Sequence, residues 1–78
     1  MRRPQPYSTV ASRLTRAERR IVRRVLTGRT NREIAKALGV TEQSVKNALS
    51  VIYDKCGVRS RLELALAVAR HRRAKLSR

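Results

Sequence analysis

Thr30-Asn31-Arg32-Glu33-Ile34-Ala35-Lys36-Ala37-Leu38-Gly39-Val40-Thr41-Glu42-Gln43-Ser44-Val45-Lys46-Asn47-Ala48-Leu49 contains two helix starts separated by one reversal. Thr30 followed by Glu33 is a capping box: the hydroxyl accepts from an early helix amide and the carboxylate reaches back to the amide of the cap. Ile34, Ala35 and Leu38 then recur on one stripe until Gly39, a residue free to take the left-handed conformation that commonly ends a helix. Thr41 caps the next helix, with Val40 and Val45 spaced as a hydrophobic staple across its start. A small Ala35, a glycine at the reversal and Val45 filling the angle between the axes meet the steric needs of a helix-turn-helix.

The same punctuation extends outward from this unit. Thr15 and Glu18 form a second box, Ala17, Ile21, Val22 and Val25 recur at helical spacing, and Gly28 ends the run, which predicts helix 1 over 16–27. Helix 2 covers 31–38. In helix 3, Val45, Leu49 and Ile52 continue one apolar face from residue 42 to Cys56, with Gly57 behind it. Ser60 and Glu63 form a third box opening helix 4 over 61–73, which is apolar on two sides. Leu62, Ala65, Leu66 and Ala69 make one stripe, expected to face the core, while Leu64, Ala67, Val68 and His71 make another. The expectation is an all-α domain of four helices over 14–73. A proline-bearing arm over 1–13 and a basic tail over 74–78 are expected to be flexible.

The chain has 78 residues, with 20 Lys and Arg against 5 Asp and Glu, a formal charge of +15. Such an imbalance exceeds what solubility requires and points to a polyanionic partner. Tyr7 and Tyr53 are the only aromatic rings, which disfavours modules that stack unpaired bases and favours duplex DNA read through a groove. A lone Cys56 excludes an internal disulfide and suits a reducing compartment. With no secretory signal and no apolar run of spanning length, the protein is expected in the cytoplasm, associated with the nucleoid and not with a membrane.

With the apolar face of helix 3 turned inward, Gln43, Lys46, Asn47 and Ser50 are left facing out. A lysine can donate to guanine and an asparagine can pair with adenine, so these four are the candidate base contacts. Thr41 and Ser44 at the start of helix 3, Thr30 and Asn31 at the start of helix 2, and Arg61 at the start of helix 4 are the candidate phosphate contacts. Each also has an ordinary role open to it: polar helix positions are usually just solvated, and Thr30 and Thr41 are caps. Arg19, Arg20, Arg23 and Arg24 read as a solvated outer face of helix 1 that adds to phosphate attraction. Cys56 reads as a small hydrophobe. His71 lacks neighbours at ligand spacing, so neither a metal nor another cofactor is expected. No serine or carboxylate has a partner arranged for catalysis, and the chain is not read as an enzyme.

Leu14-Thr15, Glu18-Arg19, Gly28, Asn31-Arg32-Glu33-Ile34-Ala35, Leu38-Gly39, Thr41, Ser44-Val45-Lys46-Asn47, Ile52, Lys55, Gly57-Val58, Ser60-Arg61 and Glu63 stand in an order that resembles the LuxR-type (GerE-like) DNA-binding domain of bacterial transcription regulators. Ala48, where that family often has histidine, and Cys56, where an aliphatic residue is usual, depart from it. The resemblance implies a four-helix domain with helix 3 in the major groove. It places Lys46, Asn47 and Ser50 at base edges and Thr41 and Ser44 near phosphate. It also implies a homodimer through helix 4, for which the stripe of Leu64, Ala67, Val68 and His71 is the expected face. Two rival readings are a helix-turn-helix adaptor for RNA polymerase or another regulator, and a nucleoid or phage protein of low sequence preference.

Overall fold

The computed structural model describes residues 13–76, with side chains as far as His71. Four helices follow in chain order, α1 (Arg16–Leu26), α2 (Asn31–Leu38), α3 (Glu42–Cys56) and α4 (Arg61–Leu76), and no strand occurs among the described residues. The boundaries of α2 and α3 are those expected, and α1 ends one residue sooner. α4 runs three residues past its expected end, so the first part of the supposed tail is helical. Residues 1–12 of the expected arm, and 77 and 78 of the tail, lie outside the described residues.

The starts are capped as the sequence indicates. Thr15 Oγ1 accepts from the Glu18 amide at 3.1 Å and the Glu18 carboxylate accepts from the Thr15 amide at 2.7 Å. The same exchange joins Thr30 and Glu33, at 3.1 and 2.9 Å. The third box is altered: Ser60 Oγ accepts from the Glu63 amide, but the Glu63 carboxylate accepts from the amide of Arg59. At the reversal, Gly39 has φ +71 and ψ 34, the Val40 amide donates to the Ala35 carbonyl at 3.0 Å, and the Gly39 amide donates to that of Lys36. These paired bonds satisfy the last carbonyls of α2 and turn the chain within two residues.

Twelve apolar residues form a single core. α1 supplies Ile21, Val22 and Val25, α2 supplies Ile34 and Ala35, α3 supplies Val45, Leu49, Ile52 and Cys56, and α4 supplies Leu64 and Val68. Leu14, ahead of α1, completes it, and among the described residues no buried one is polar or charged. α3 packs against all three other helices. Val40, expected to staple onto Val45, stays 47 % exposed.

The two stripes of α4 are the reverse of those expected. Leu64 and Val68 are buried at 0 and 3 % exposure, whereas Leu62 and Leu66 are exposed at 68 and 46 %. Ala67 and His71, the other members of the expected dimer face, are half-buried. Apolar spacing could not choose between stripes on a helix apolar on two sides. Arg61, on the same side of α4 as Leu64 and Val68, ties that side to the start of α2: its guanidinium Nη1 donates to Asn31 Oδ1 at 2.7 Å and its Nη2 to the Arg29 carbonyl.

One ion pair ties the start of α1 to the end of α3. Lys55 Nζ lies 2.8 and 3.0 Å from the two Glu18 oxygens and also donates to the Arg13 carbonyl at 3.4 Å. Partial burial works to raise the Glu18 carboxyl, but the Lys55 hydrogen bond and the Thr15 amide outweigh it and hold the group below its ordinary value of 4.5. The sign follows from linkage: stability from a depressed carboxyl is complete above its unfolded value and is lost as pH falls through its folded value. Glu18→Gln should therefore cost about 1–2 kcal/mol at pH 7, from the weakened cap and the lost charged bond. The difference from the unchanged chain should shrink as pH falls below about 4.5, which thermal melts between pH 3 and 7 would measure.

Candidate nucleic-acid interface

α3 buries the stripe Val45, Leu49, Ile52 and Cys56, and an α-helix advances about 100° per residue. The side chains at Gln43, Lys46, Asn47 and Ser50 therefore project on the other side of the helix, where all four are exposed. Gln43 Nε2 donates to Asn47 Oδ1 at 2.9 Å, so two of the four expected base contacts hold one another in place. An i,i+4 amide pair of this kind leaves each side chain further donor or acceptor capacity for a partner.

Thr41 takes the extended cap conformation, with φ −84 and ψ 158, and its Oγ1 accepts from the Ser44 amide at 3.1 Å. The Thr41 and Ser44 hydroxyls share a second hydrogen bond at 2.9 Å. Glu42, an acid, stands in the same first turn. Its carboxylate favours the positive end of the helix and opposes a phosphate approaching there.

The start of α2 gathers the remaining phosphate candidates. Thr30 caps the helix, Asn31 follows it, and Arg61 arrives from α4 to bond with Asn31. Glu33 Oε2 lies 3.8 Å from Arg29 Nη1, an exposed pair. The Thr30 amide and hydroxyl hold the Glu33 carboxyl below its ordinary value. Arg61 is thus first a tie between two helix starts, and only its unused donors remain for phosphate. Thirty residues of separation hide that tie from any local pattern.

Val51 was missed. It stands one turn beyond Asn47, is 47 % exposed, and borders the polar edge of α3. Its i+4 spacing from Asn47 was the available signal, but a valine draws attention as core before surface. Cys56, by contrast, is buried as expected, and burial followed by the nearby Glu18 charge raises its thiol above the ordinary value. A thiol so placed is a poor nucleophile.

Residues 12–68 match the family described as "Bacterial regulatory proteins, luxR family". The chain belongs to this family. "Probable HTH-type transcriptional regulator GfsR" of Streptomyces halstedii is 45 % identical over 53 residues, which is 68 % of this chain and 22 % of that protein. Two proteins, each named as a "Putative HTH-type transcriptional regulator", one from Mycobacterium bovis and one from Mycobacterium tuberculosis, are 42 % identical over 57 residues. That stretch is 73 % of this chain and 6 % of each of those proteins, so the chain spans a small part of the relatives it matches. The luxR-family match encloses the whole helix-turn-helix and the first half of α4. Among the described residues, no helix is long and apolar enough to cross a membrane.

If Arg61 acts mainly as the tie between α4 and α2, then Arg61→Met should lower stability by about 1–3 kcal/mol through the orphaned Asn31 and the lost charged bond. Chemical denaturation of the two proteins without DNA would check this.

Proposed function

We propose that this luxR-family domain binds double-stranded DNA with α3 in the major groove and regulates transcription in the cytoplasm. The observation that carries the reading is the edge of α3 opposite the core, where Gln43, Lys46, Asn47 and Ser50 are all exposed. A helix fits the major groove, and these side chains can address guanine and adenine acceptors and donors. Val51 at the border of the edge suits the methyl group of a thymine. Thr41 and Ser44, with Thr30, Asn31 and Arg61, would set the helix in register through the phosphates on either side. The proteins it resembles carry names of transcriptional regulators, which supports the same reading.

The exposed stripe of α4 supports a homodimer. Leu62, Leu66 and Ala69 align at i, i+4 and i+7 on the side away from Leu64 and Val68. Two leucines left open on so small a domain suit a two-fold contact in which the same stripe meets itself. The dimer face assigned to this reading is therefore Leu62, Leu66 and Ala69.

Selection of bound sequences from a random duplex pool tests the DNA reading. A shared motif, with preference at one position relaxed in Lys46→Ala, is the expected result; bound pools without any motif would leave only low-specificity attachment. Sedimentation tests the dimer: Leu66→Glu should shift the protein to monomer, and a two-fold symmetric motif should be bound at least tenfold more weakly by that variant than by the original chain.

A further inference from the structure

We propose that the outer face of α1 is a second DNA-binding surface, which grips the backbone of a duplex other than the one held by α3. α1 turns Ile21, Val22 and Val25 to the core, so Arg16, Arg19, Arg20 and Arg23 collect on the opposite face. All four are exposed. The two ion pairs among the described residues, Arg29–Glu33 and Lys55–Glu18, involve none of them. Arg24 is set apart, half-buried with Nη1 donating to the Arg20 carbonyl.

The distribution of charge is the first argument. α1 carries five arginines against Glu18, a net of +4, and that glutamate is occupied by Lys55. α3 carries Glu42, Lys46, Asp54 and Lys55, which cancel. The surplus on α1 is larger than anything that α3 offers, so contact through α3 leaves it unused.

Distance is the second argument. α1 and α3 pack against one another through their buried stripes, and their polar faces point away from the same core. Packed axes lie about 8–10 Å apart and each helix adds a radius of about 5 Å, which puts the two outer faces about 20 Å apart. Charges are screened within about 8 Å at physiological salt. The arginine row therefore stands more than a screening length from the groove floor that α3 would reach, and is open to another polyanion.

The form of the row decides which polyanion. Arg16 to Arg23 covers about 10 Å of helix, a length over which a duplex presents about six phosphate charges. An interface with an acidic protein would be expected to carry an apolar centre, and none of the large exposed hydrophobics lies on α1.

The inference rests on α3 holding the first duplex, and the test keeps the two apart. The chain is loaded on a bead-tethered duplex of the selected sequence, and a fluorescent duplex of random sequence is then offered. R16Q/R19Q/R20Q/R23Q should bind the tethered duplex within about threefold of the original chain yet capture at least tenfold less of the second. R19Q/R23Q should fall between, which guards against a fold defect in the larger variant. Lys46→Ala tests the first contact alone, because it should lower preference for the tethered sequence while the arginine row stays intact. Undiminished capture by the arginine variants, or no capture by the original chain, would overturn the proposal. So would equal losses at both duplexes, which would mean that the row serves the first. Unchanged DNA capture with lost binding to polyglutamate would overturn it in favour of an acidic protein partner.

Discussion

Burial of Val45, Leu49, Ile52 and Cys56 is the constraint from which the rest of the structure follows. α3 packs against each of the other three helices, and these four side chains are its fully buried contribution to the core. An α-helix with a single apolar stripe has a single stable rotation about its axis, because turning it would expose leucine and isoleucine and bury amides and a lysine. The polar edge is outside because the stripe is inside. Both ends are then held: the reversal at Gly39 sets the entry of α3, and Lys55, bonded to Glu18 and to the Arg13 carbonyl, sets its exit.

The acidic residues show how the molecule comes to have so strong a field. Glu18, Glu33 and Glu63 each accept a backbone amide at or just before a helix start, and Glu18 and Glu33 also meet a basic side chain. Capping satisfies amides that would otherwise lack partners, and it draws the few carboxylates into intramolecular bonds. The basic residues have no comparable sink. Their charge stays on the surface, where it acts on other molecules more than on the fold.

Helices α1 to α3 were legible because each begins at a threonine and ends before a glycine, and local backbone chemistry of this kind is written in neighbouring residues. α4 has no glycine behind it, so no local residue marks its end at Leu76. Its inward face is not legible locally, since alanine and leucine recur on two sides and the polar contact on the buried side, Arg61 with Asn31 and the Arg29 carbonyl, joins residues about thirty apart. The polar edge of α3 could be read by subtraction from its apolar stripe. The Gln43–Asn47 bond and the exposure of Val51 could not, as they depend on rotamers and on where neighbouring helices stop.

Affinity and selectivity are separable in a protein built this way. On the proposed reading, α3 has no net charge, with Glu42 in its first turn and Asp54 near its end. Carboxylates at both ends of a helix in the groove penalise placements that bring them against phosphate, so a shift in register loses more than the contacts of Lys46 and Asn47. Basic residues outside α3 and the α1 row, Arg61 among them, would supply attraction that is indifferent to sequence and falls steeply with salt. A neutral reading helix on a strongly basic body would therefore discriminate through what it repels as well as what it bonds, and its selectivity should survive salt concentrations that remove much of its affinity.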